Sequence, residues 1–243
     1  MTQKVYLRKT SLVDYPQKVA AAIFFPMCNL RCPWCQNGSL ITNKNDDELI
    51  TLEEALALIQ KRQNVLGAVT LTGGEPTLYP MLANLIEHIK AFSLTTTGGK
   101  HQSKLLVKLD TNGTNPDILK QILVNDKTKP DYIAMDLKTS IEKYNSLCRS
   151  RINIEDKIIE SINIICSSNV QYEFRSLLLP DPFFNKDDVV SISKLKGLNA
   201  DHWRFRAFIP GSCLDEDWNL KEATKPQTVK DYEDFAKSLG GMR

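Results

Sequence analysis

Six apolar runs of strand length, each followed by a helical pattern, constrain this chain more than any other feature. The runs are 19–25 (VAAAIFF), 68–72 (AVTLT), 105–110 (LLVKLD), 132–137 (YIAMDL), 172–179 (YEFRSLLL) and 203–209 (WRFRAFI). Helical patterns fall at about 52–64, 80–92, 116–124, 155–167, 186–196 and 228–239. Leu52, Leu56 and Ile59 share one helical face, and Ile158, Ile162 and Ile165 share another. Thr51 with Glu54 forms a capping-box pattern, and Asn115-Pro116 reads as an N-cap followed by an N1 proline. Strand–helix units in succession predict a parallel sheet with helices packed outside it. The runs are apolar rather than alternating, as suits strands covered by other layers. Eight units would close a full barrel, so six predict a partial (β/α)6 barrel of class α/β. The expectation is one domain over 1–243, with a core at about 18–210 and a C-terminal helix at about 228–239. The segment 93–104 (SLTTTGGKHQSK) reads as a polar loop.

Charge removes two classes of function. Thirty-one basic against 29 acidic side chains leave a net charge of +2, which offers no electrostatic footprint for nucleic acid or a membrane surface. The most apolar run, 19–28, contains Pro26 and falls short of the roughly 20 residues a spanning helix needs. No apolar segment follows residues 1–4, so no secretory signal is expected and the chain is placed in the cytoplasm.

In a reducing compartment the six cysteines are not a disulfide framework, and their placement becomes informative. Cys28, Cys32 and Cys35 lie within eight residues, whereas Cys148, Cys166 and Cys213 are scattered singly and read as bystanders. Three thiolates are one ligand short of the closed tetrahedron usual for structural zinc, and the histidines (His88, His101 and His202) are distant. A 4Fe–4S cube held by three cysteines would leave one iron open to an outside ligand. Two alternatives stay open from these residues alone. Cys32-Pro33-Trp34-Cys35 is also a thiol–disulfide pair, which would leave Cys28 without a role. A zinc site would have to borrow a remote histidine or Cys213.

The ends of the other strands carry polar groups. Gly73-Gly74-Glu75 follows the second run; paired glycines allow close approach of the backbone, and the carboxylate can grip an ammonium. Asp110-Thr111-Asn112-Gly113 follows the third. Asp136 and Lys138 share a side after the fourth, as do Glu173 and Arg175 on the fifth. Individually these are ordinary turns and ion pairs. In a parallel β/α array they fall on one rim, the C-terminal edge where such folds build active sites. A small zwitterionic ligand beside a metal cluster would fit that set.

At these residues the sequence resembles the radical S-adenosylmethionine enzymes. Cys28, Cys32, Trp34 and Cys35 match the C-x-x-x-C-x-aromatic-C pattern, and Gly73, Gly74 and Glu75 match the Gly-Gly-Glu motif. Within that superfamily the chain is similar to glycyl-radical activating enzymes, above all those of anaerobic ribonucleoside-triphosphate reductase. The stretches 11–16 (SLVDYP), 110–113 (DTNG) and 136–138 (DLK) support that likeness. The resemblance implies that Cys28, Cys32 and Cys35 hold one 4Fe–4S cluster whose open iron chelates S-adenosylmethionine. It places Trp34 near the adenine, Gly73, Gly74 and Glu75 at the methionine ammonium, and Asp136, Lys138 and Arg175 at the remaining polar groups. Asp110, followed by Asn112, matches a position that can help bind a monovalent cation. The implied reaction is reductive cleavage of S-adenosylmethionine to a 5′-deoxyadenosyl radical, which takes hydrogen from a glycine of a partner enzyme. Flavodoxin or ferredoxin would supply the electron. The competing readings are a small-molecule radical enzyme such as a 7-carboxy-7-deazaguanine synthase, and a zinc-binding or thiol–disulfide module. Gln36 departs from the histidine that relatives often carry after the third cysteine.

Overall fold

A computed structural model describes residues 3–42, 48–95 and 102–240. In chain order its strands are β1 (Lys4–Ser11), β2 (Ala20–Phe25), β3 (Ile50–Thr51), β4 (Ala68–Gly73), β5 (Ser93–Thr95), β6 (Gln102–Lys104), β7 (Leu106–Thr111), β8 (Tyr132–Asp136), β9 (Gln171–Leu178) and β10 (Trp203–Ala207). The helices are α1 (Gly38–Ile41), α2 (Leu52–Lys61), α3 (Leu82–Lys90), α4 (Pro116–Leu123), α5 (Tyr144–Leu147), α6 (Glu155–Cys166), α7 (Lys186–Ser193) and α8 (Pro226–Gly240). Each of the six expected strands and six expected helices is present, with ends shifted by a few residues.

The chain divides into two compact units. The first comprises Met1–Cys28, Ser39–Thr111 and Asp117–Ile133. Its strands lie in the order β7-β4-β2-β1-β3. The ladders β2–β4 and β4–β7 are parallel, in a register that aligns Ile23 with Leu71 and Leu71 with Leu109. These apolar positions are fully buried, and so are Ile59, Ile86, Ile89 and Leu119 of the helices. The sequence reading left out β1, which pairs antiparallel with β2 and carries β3 on its other side. Its string KVYLRKTS has neither a continuous apolar run nor strict alternation, and half of its residues are exposed. The capping box at Thr51 is formed: the Glu54 N–H donates to the threonine hydroxyl at 3.1 Å, and the Thr51 N–H donates to the Glu54 carboxylate at 2.8 Å.

The expectation of a loop at 93–104 needs correcting. β5 and β6 pair antiparallel there, Ser93 with Lys104 and Thr95 with Gln102. Threonine supplies strand propensity in that segment, whereas polarity alone suggested a loop. Residues 96–101 of that segment lie outside those described.

The second unit comprises Asn29–Gly38, Asn112–Pro116 and Ala134–Arg243. Its strands are ordered β10-β9-β8, and β9 and β10 run parallel with Phe174 opposite Trp203 and Ser176 opposite Phe205. Phe174, Trp203, Phe205, Tyr144 and Phe208 are the bulk of a buried aromatic core. α6 presents Ile158, Ile162 and Ile165 inward, as their spacing required, and α8 packs on β10 and α7. α7 begins with a second capping box, at Asn185 with Asp188.

Thr51→Ala and Asn185→Ala are each expected to cost about 1 kcal/mol, the usual worth of an N-cap. Denaturant unfolding followed by circular dichroism tests this, and a neutral result at either site would mean water replaces that cap.

Candidate active site

In the first unit the Gly-Gly-Glu motif is welded to the chain that leads into Cys28. Beyond the last rung of the β2–β4 ladder, the Gly74 N–H donates to the Phe25 carbonyl at 2.7 Å and the Glu75 N–H to the Met27 carbonyl at 2.7 Å. No side chain fits between these backbones. A Cβ on Gly74 would stand 2.1 Å from the Met27 oxygen and 3.1 Å from the Cys28 Cβ. Gly73 has φ +112°, and a Cβ there would stand 2.4 Å from the Phe25 nitrogen. The two glycines are therefore a docking surface for the segment that carries the first cysteine.

Glu75 is buried, and its Oε1 accepts from the Thr77 N–H (3.1 Å), the Thr77 hydroxyl (2.6 Å) and the Thr111 hydroxyl (2.8 Å). That oxygen caps the 3₁₀ turn at Pro76–Leu78 and ties it to β7. Asp110, also on β7, faces Lys108, whose Nζ lies 2.9 Å from Asp110 Oδ1. The same buried ammonium donates to the Asp14 carbonyl at 2.9 Å. Lys108 thus fastens the 11–16 stretch to the third strand, beside the carboxylate that the sequence linked to a cation.

In the second unit the 29–38 segment is held at several points. Asn112 Nδ2–H donates to Asn29 Oδ1 at 3.0 Å, Asn29 donates to the Thr114 hydroxyl at 2.8 Å, and Thr114 returns its hydroxyl to Asn112 Oδ1 at 2.7 Å. Arg31 N–H donates to the Cys148 carbonyl at 3.0 Å, Gln36 to the Ile209 carbonyl at 2.7 Å, and Asp215 N–H to the Pro33 carbonyl at 3.0 Å. Gln36 therefore anchors the loop. Cys35 N–H donates to the Cys32 carbonyl at 3.0 Å, a turn that brings these two thiols onto neighbouring positions. Trp34 is buried with its ring centroid 5.3 Å from that of Trp218, which also meets Phe183 and Phe208.

Beside these thiols sits a charge triad. Asp136 Oδ1 accepts from Arg175 Nε at 3.0 Å and lies 2.9 Å from its Nη2, while Oδ2 accepts from Lys138 Nζ at 3.1 Å. Burial alone would raise the Asp136 carboxyl, but Lys138 and Arg175 overcome it and hold the group down at about 2. Burial likewise opposes the charge on Lys138, yet Asp136, Cys32 and Cys148 push it well above the usual lysine range. The pKa of Cys32 is raised well above the ordinary thiol value by its hydrogen bond to Cys148 and by burial. Burial raises that of Cys35 too, against a hydrogen bond from the Asn37 backbone. Cys148, left outside the site by the sequence, is thus against Cys32. Their separation of over a hundred residues gave no local signal of it. Cys213 also lies within electrostatic reach of Cys35, whereas Cys166 is on α6, next to Tyr172.

The donor chemistry suits an iron–sulfur cluster. The motif cysteines form no disulfide. Among the described histidines, His88 is in edge contact with Phe92 and His202 stacks on Tyr172, and the donors that the 28–35 segment itself offers are sulfur. No group of three His, Cys, Asp or Glu side chains among the described residues is already drawn to metal-ligand distance.

The sequence profile described as the Radical SAM superfamily matches residues 22–195, and the chain belongs to that family. Its members use a 4Fe–4S cluster and S-adenosylmethionine. A curated protein of Methanocaldococcus jannaschii, named "Putative glycyl-radical enzyme activating enzyme", is 27% identical over 230 residues, covering 93% of this chain and 88% of its own. A GTP 3′,8-cyclase of Alkaliphilus metalliredigens is 26% identical over 71% of this chain and 62% of its own. Among solved structures, that of TYW1 with a lysine–pyruvate adduct overlays with a TM-score of 0.57 at 15% identity, covering 90% of this chain and 73% of that one. The Streptococcus suis SuiB structure gives 0.58 at 14%, covering 90% and 45%. These overlays show that the chain shares its fold with both structures.

Gly74→Ala is expected to cost about 1–3 kcal/mol as an overpacking change, because the 25–28 backbone must move. Lys108→Met is expected to cost about 3 kcal/mol, since it removes the buried cation facing part-buried Asp110. Urea titrations of both variants test these values; an unchanged midpoint for either would refute the contact assigned to it.

Proposed function

We propose that this radical enzyme activates a glycyl-radical enzyme, with anaerobic ribonucleoside-triphosphate reductase as the partner. The observation that carries the reading is the likeness to the M. jannaschii protein along nearly the full length of both chains. The 11–16, 110–113 and 136–138 stretches add to it. The proposed cluster ligands are Cys28, Cys32 and Cys35, with S-adenosylmethionine held by Trp34, Gly73, Gly74, Glu75, Asp110, Asn112, Asp136, Lys138 and Arg175. When bound, the reduced cluster and S-adenosylmethionine supply one-electron cleavage of the sulfonium to methionine and a 5′-deoxyadenosyl radical.

The protein's own contribution is placement and charge. One carboxylate against two cations leaves the Asp136–Lys138–Arg175 triad with a surplus positive charge, which suits an amino-acid carboxylate. Arg175 offers a planar fork and Lys138 a point charge, so the triad can orient as well as attract. Main-chain bonds from Gly74 and Glu75 hold the segment before Cys28, and the Asn112–Asn29–Thr114 ring holds the segment after it. In this role Asn112 acts on the loop as a positioning residue. Lys108 already sets a positive charge beside Asp110, so any monovalent cation there would share the carboxylate with an ammonium. The electron would come from flavodoxin or ferredoxin in the cytoplasm; no helix among the described residues is long and apolar enough to cross a membrane.

The GTP 3′,8-cyclase likeness favours a second reading, a radical enzyme acting on a small molecule. The two separate in one anaerobic experiment on the reconstituted protein given S-adenosylmethionine, a reductant and the candidate reductase. The activase reading expects 5′-deoxyadenosine together with a glycyl-radical doublet on the partner by electron paramagnetic resonance. Cleavage that depends on an added nucleotide, with no radical on the partner, would replace it with the second reading. Cys28→Ala, Cys32→Ala and Cys35→Ala are each expected to abolish 5′-deoxyadenosine formation, read by chromatography; retained turnover in any of them removes that residue from the ligand set.

A further inference from the structure

Within the second unit the 29–38 segment is gripped from two sides. On one side the Arg31 N–H donates to the carbonyl of Cys148, the C-cap of α5, at 3.0 Å. On the other lies the chain that follows β10. Its Asp215 N–H donates to the Pro33 carbonyl at 3.0 Å, and a Cβ on Gly38 would stand 3.0 Å from the Leu214 Cα. Asn219 Oδ1 gathers that chain into a compact loop by accepting from the Gly211 N–H at 3.1 Å and the Cys213 N–H at 2.9 Å. An ion pair then joins the two sides. Arg149 donates from Nη1 to Asp215 Oδ1 at 3.1 Å and from Nη2 to Oδ2 at 2.5 Å, a two-pronged fork. The bonds Arg31–Cys148, Arg149–Asp215 and Asp215–Pro33 thereby close a ring of which Cys32 is a member. Arg149 has φ +51° at the residue after a helix C-cap, where glycine is the usual choice. The Asp215 side chain makes no cap bond to the 3₁₀ turn at Glu216–Leu220 that it precedes. Neither residue type is therefore required by its own local backbone, and the fork is what the two side chains provide.

We propose that Arg149 and Asp215 are positioning residues for the iron–sulfur cluster: their fork clasps the 211–219 loop against the cysteine loop and slows loss of the cluster. Cys32 and Cys35 can give up a metal only by spreading apart, and the loop that carries them spreads only when one side lets go. The bonds to Arg31 and Pro33 come from separate stretches of chain, the end of α5 and the loop after β10. Each stretch could drift alone, and the fork makes them move together. An isolated ion pair with side chains 51% and 32% exposed would contribute little to folding. This one acts by coupling two segments that each hold the cysteine loop, so its effect is concentrated on that loop. The partial exposure of the pair also makes the clasp sensitive to salt. The proposal rests on Cys32 and Cys35 being cluster ligands, and is independent of which partner the enzyme serves.

The test follows iron release from the reconstituted full chain to an excess of a ferrous chelator, under anaerobic conditions with dithionite present. Arg149→Gly and Asp215→Ala are each expected to release iron about tenfold faster than wild type, and the double variant no faster than either, because all three break the same fork. Salt at about 1 M is expected to speed the wild type toward the variants and to leave the variants unchanged. Asp126→Asn, which breaks an exposed pair with Lys129 in the first unit, is expected to release iron at the wild-type rate. Urea midpoints of the Arg149 and Asp215 variants are expected to match that of wild type. Wild-type release rates in either single variant, or additive acceleration in the double variant, overturn the clasp. A urea midpoint that falls in step with faster release makes the pair a general stabiliser and overturns it too. Hydrogen exchange on the metal-free chain reads the same fork without a cluster. There the Asp215 N–H is expected to exchange faster in Arg149→Gly, and equal protection refutes the coupling of the two sides. A wild-type chain that takes up no iron refutes the cluster role and the ligand assignment together, while the exchange difference still reports on the fork.

Discussion

Gly73-Gly74 lie so close to the 25–28 backbone that no Cβ would fit between them, and the placement of Cys28 depends on that approach. Parallel ladders normally end where strands splay. Here two further main-chain bonds, from Gly74 and Glu75, extend the pairing past the last residue of β2. Hydrogen-bonded backbones at this distance exclude even a methyl group, so the motif's glycines are a steric requirement before they are a ligand site. Glu75 continues the same logic, because an oxygen committed to two threonines and a backbone N–H makes the turn after β4 rigid.

The second unit solves a different problem, that of keeping charge beside thiols in a crowded interior. Asp136 is retained as a carboxylate because two cations face it, and the backbone that carries it is braced in turn. Tyr144 donates its hydroxyl to the Asp136 carbonyl at 3.1 Å and accepts from the Lys138 N–H at 2.9 Å. Ser176 donates to the Leu137 carbonyl at 2.6 Å and accepts from the Trp203 indole at 3.0 Å. The Tyr144 and Ser176 hydroxyls and the Trp203 indole are thus all partnered, whereas among the described residues the buried hydroxyls of Thr139 and Ser140, next along the chain from Lys138, are not. Lys138 links triad and thiols: its positive charge opposes the rise of both Cys32 and Cys35.

Much of this was legible in the sequence. The α/β class, the six strands and their helices follow from apolar runs and from 3.6-residue periodicity, both of which are local signals. Cys28, Cys32 and Cys35 stand out by spacing, and the glycine pair by its position at a strand end. The hairpin of β5 and β6 and the strand β1 between β2 and β3 were not legible, because their polar strings carry no apolar run and the strands are recognised by their pairing. For Trp34 the pattern pointed to a place in a motif, whereas the fold gives it Trp218 as a neighbour.

The sequence by itself determined the elements, the order in which they come and the chemistry of the donor set, since all three are written in stretches of a few residues. Only the tertiary structure decided the partners: Lys108 for Asp110, Asn29 for Asn112, Arg175 for Asp136, and Cys148 for Cys32. The members of each of these pairs, Lys108 and Asp110 apart, are separated by tens of residues or more. Such pairs are chosen by how strands align and where helices end. A side chain's local sequence carries its hydrogen-bonding capacity but not the identity of the group that will satisfy it.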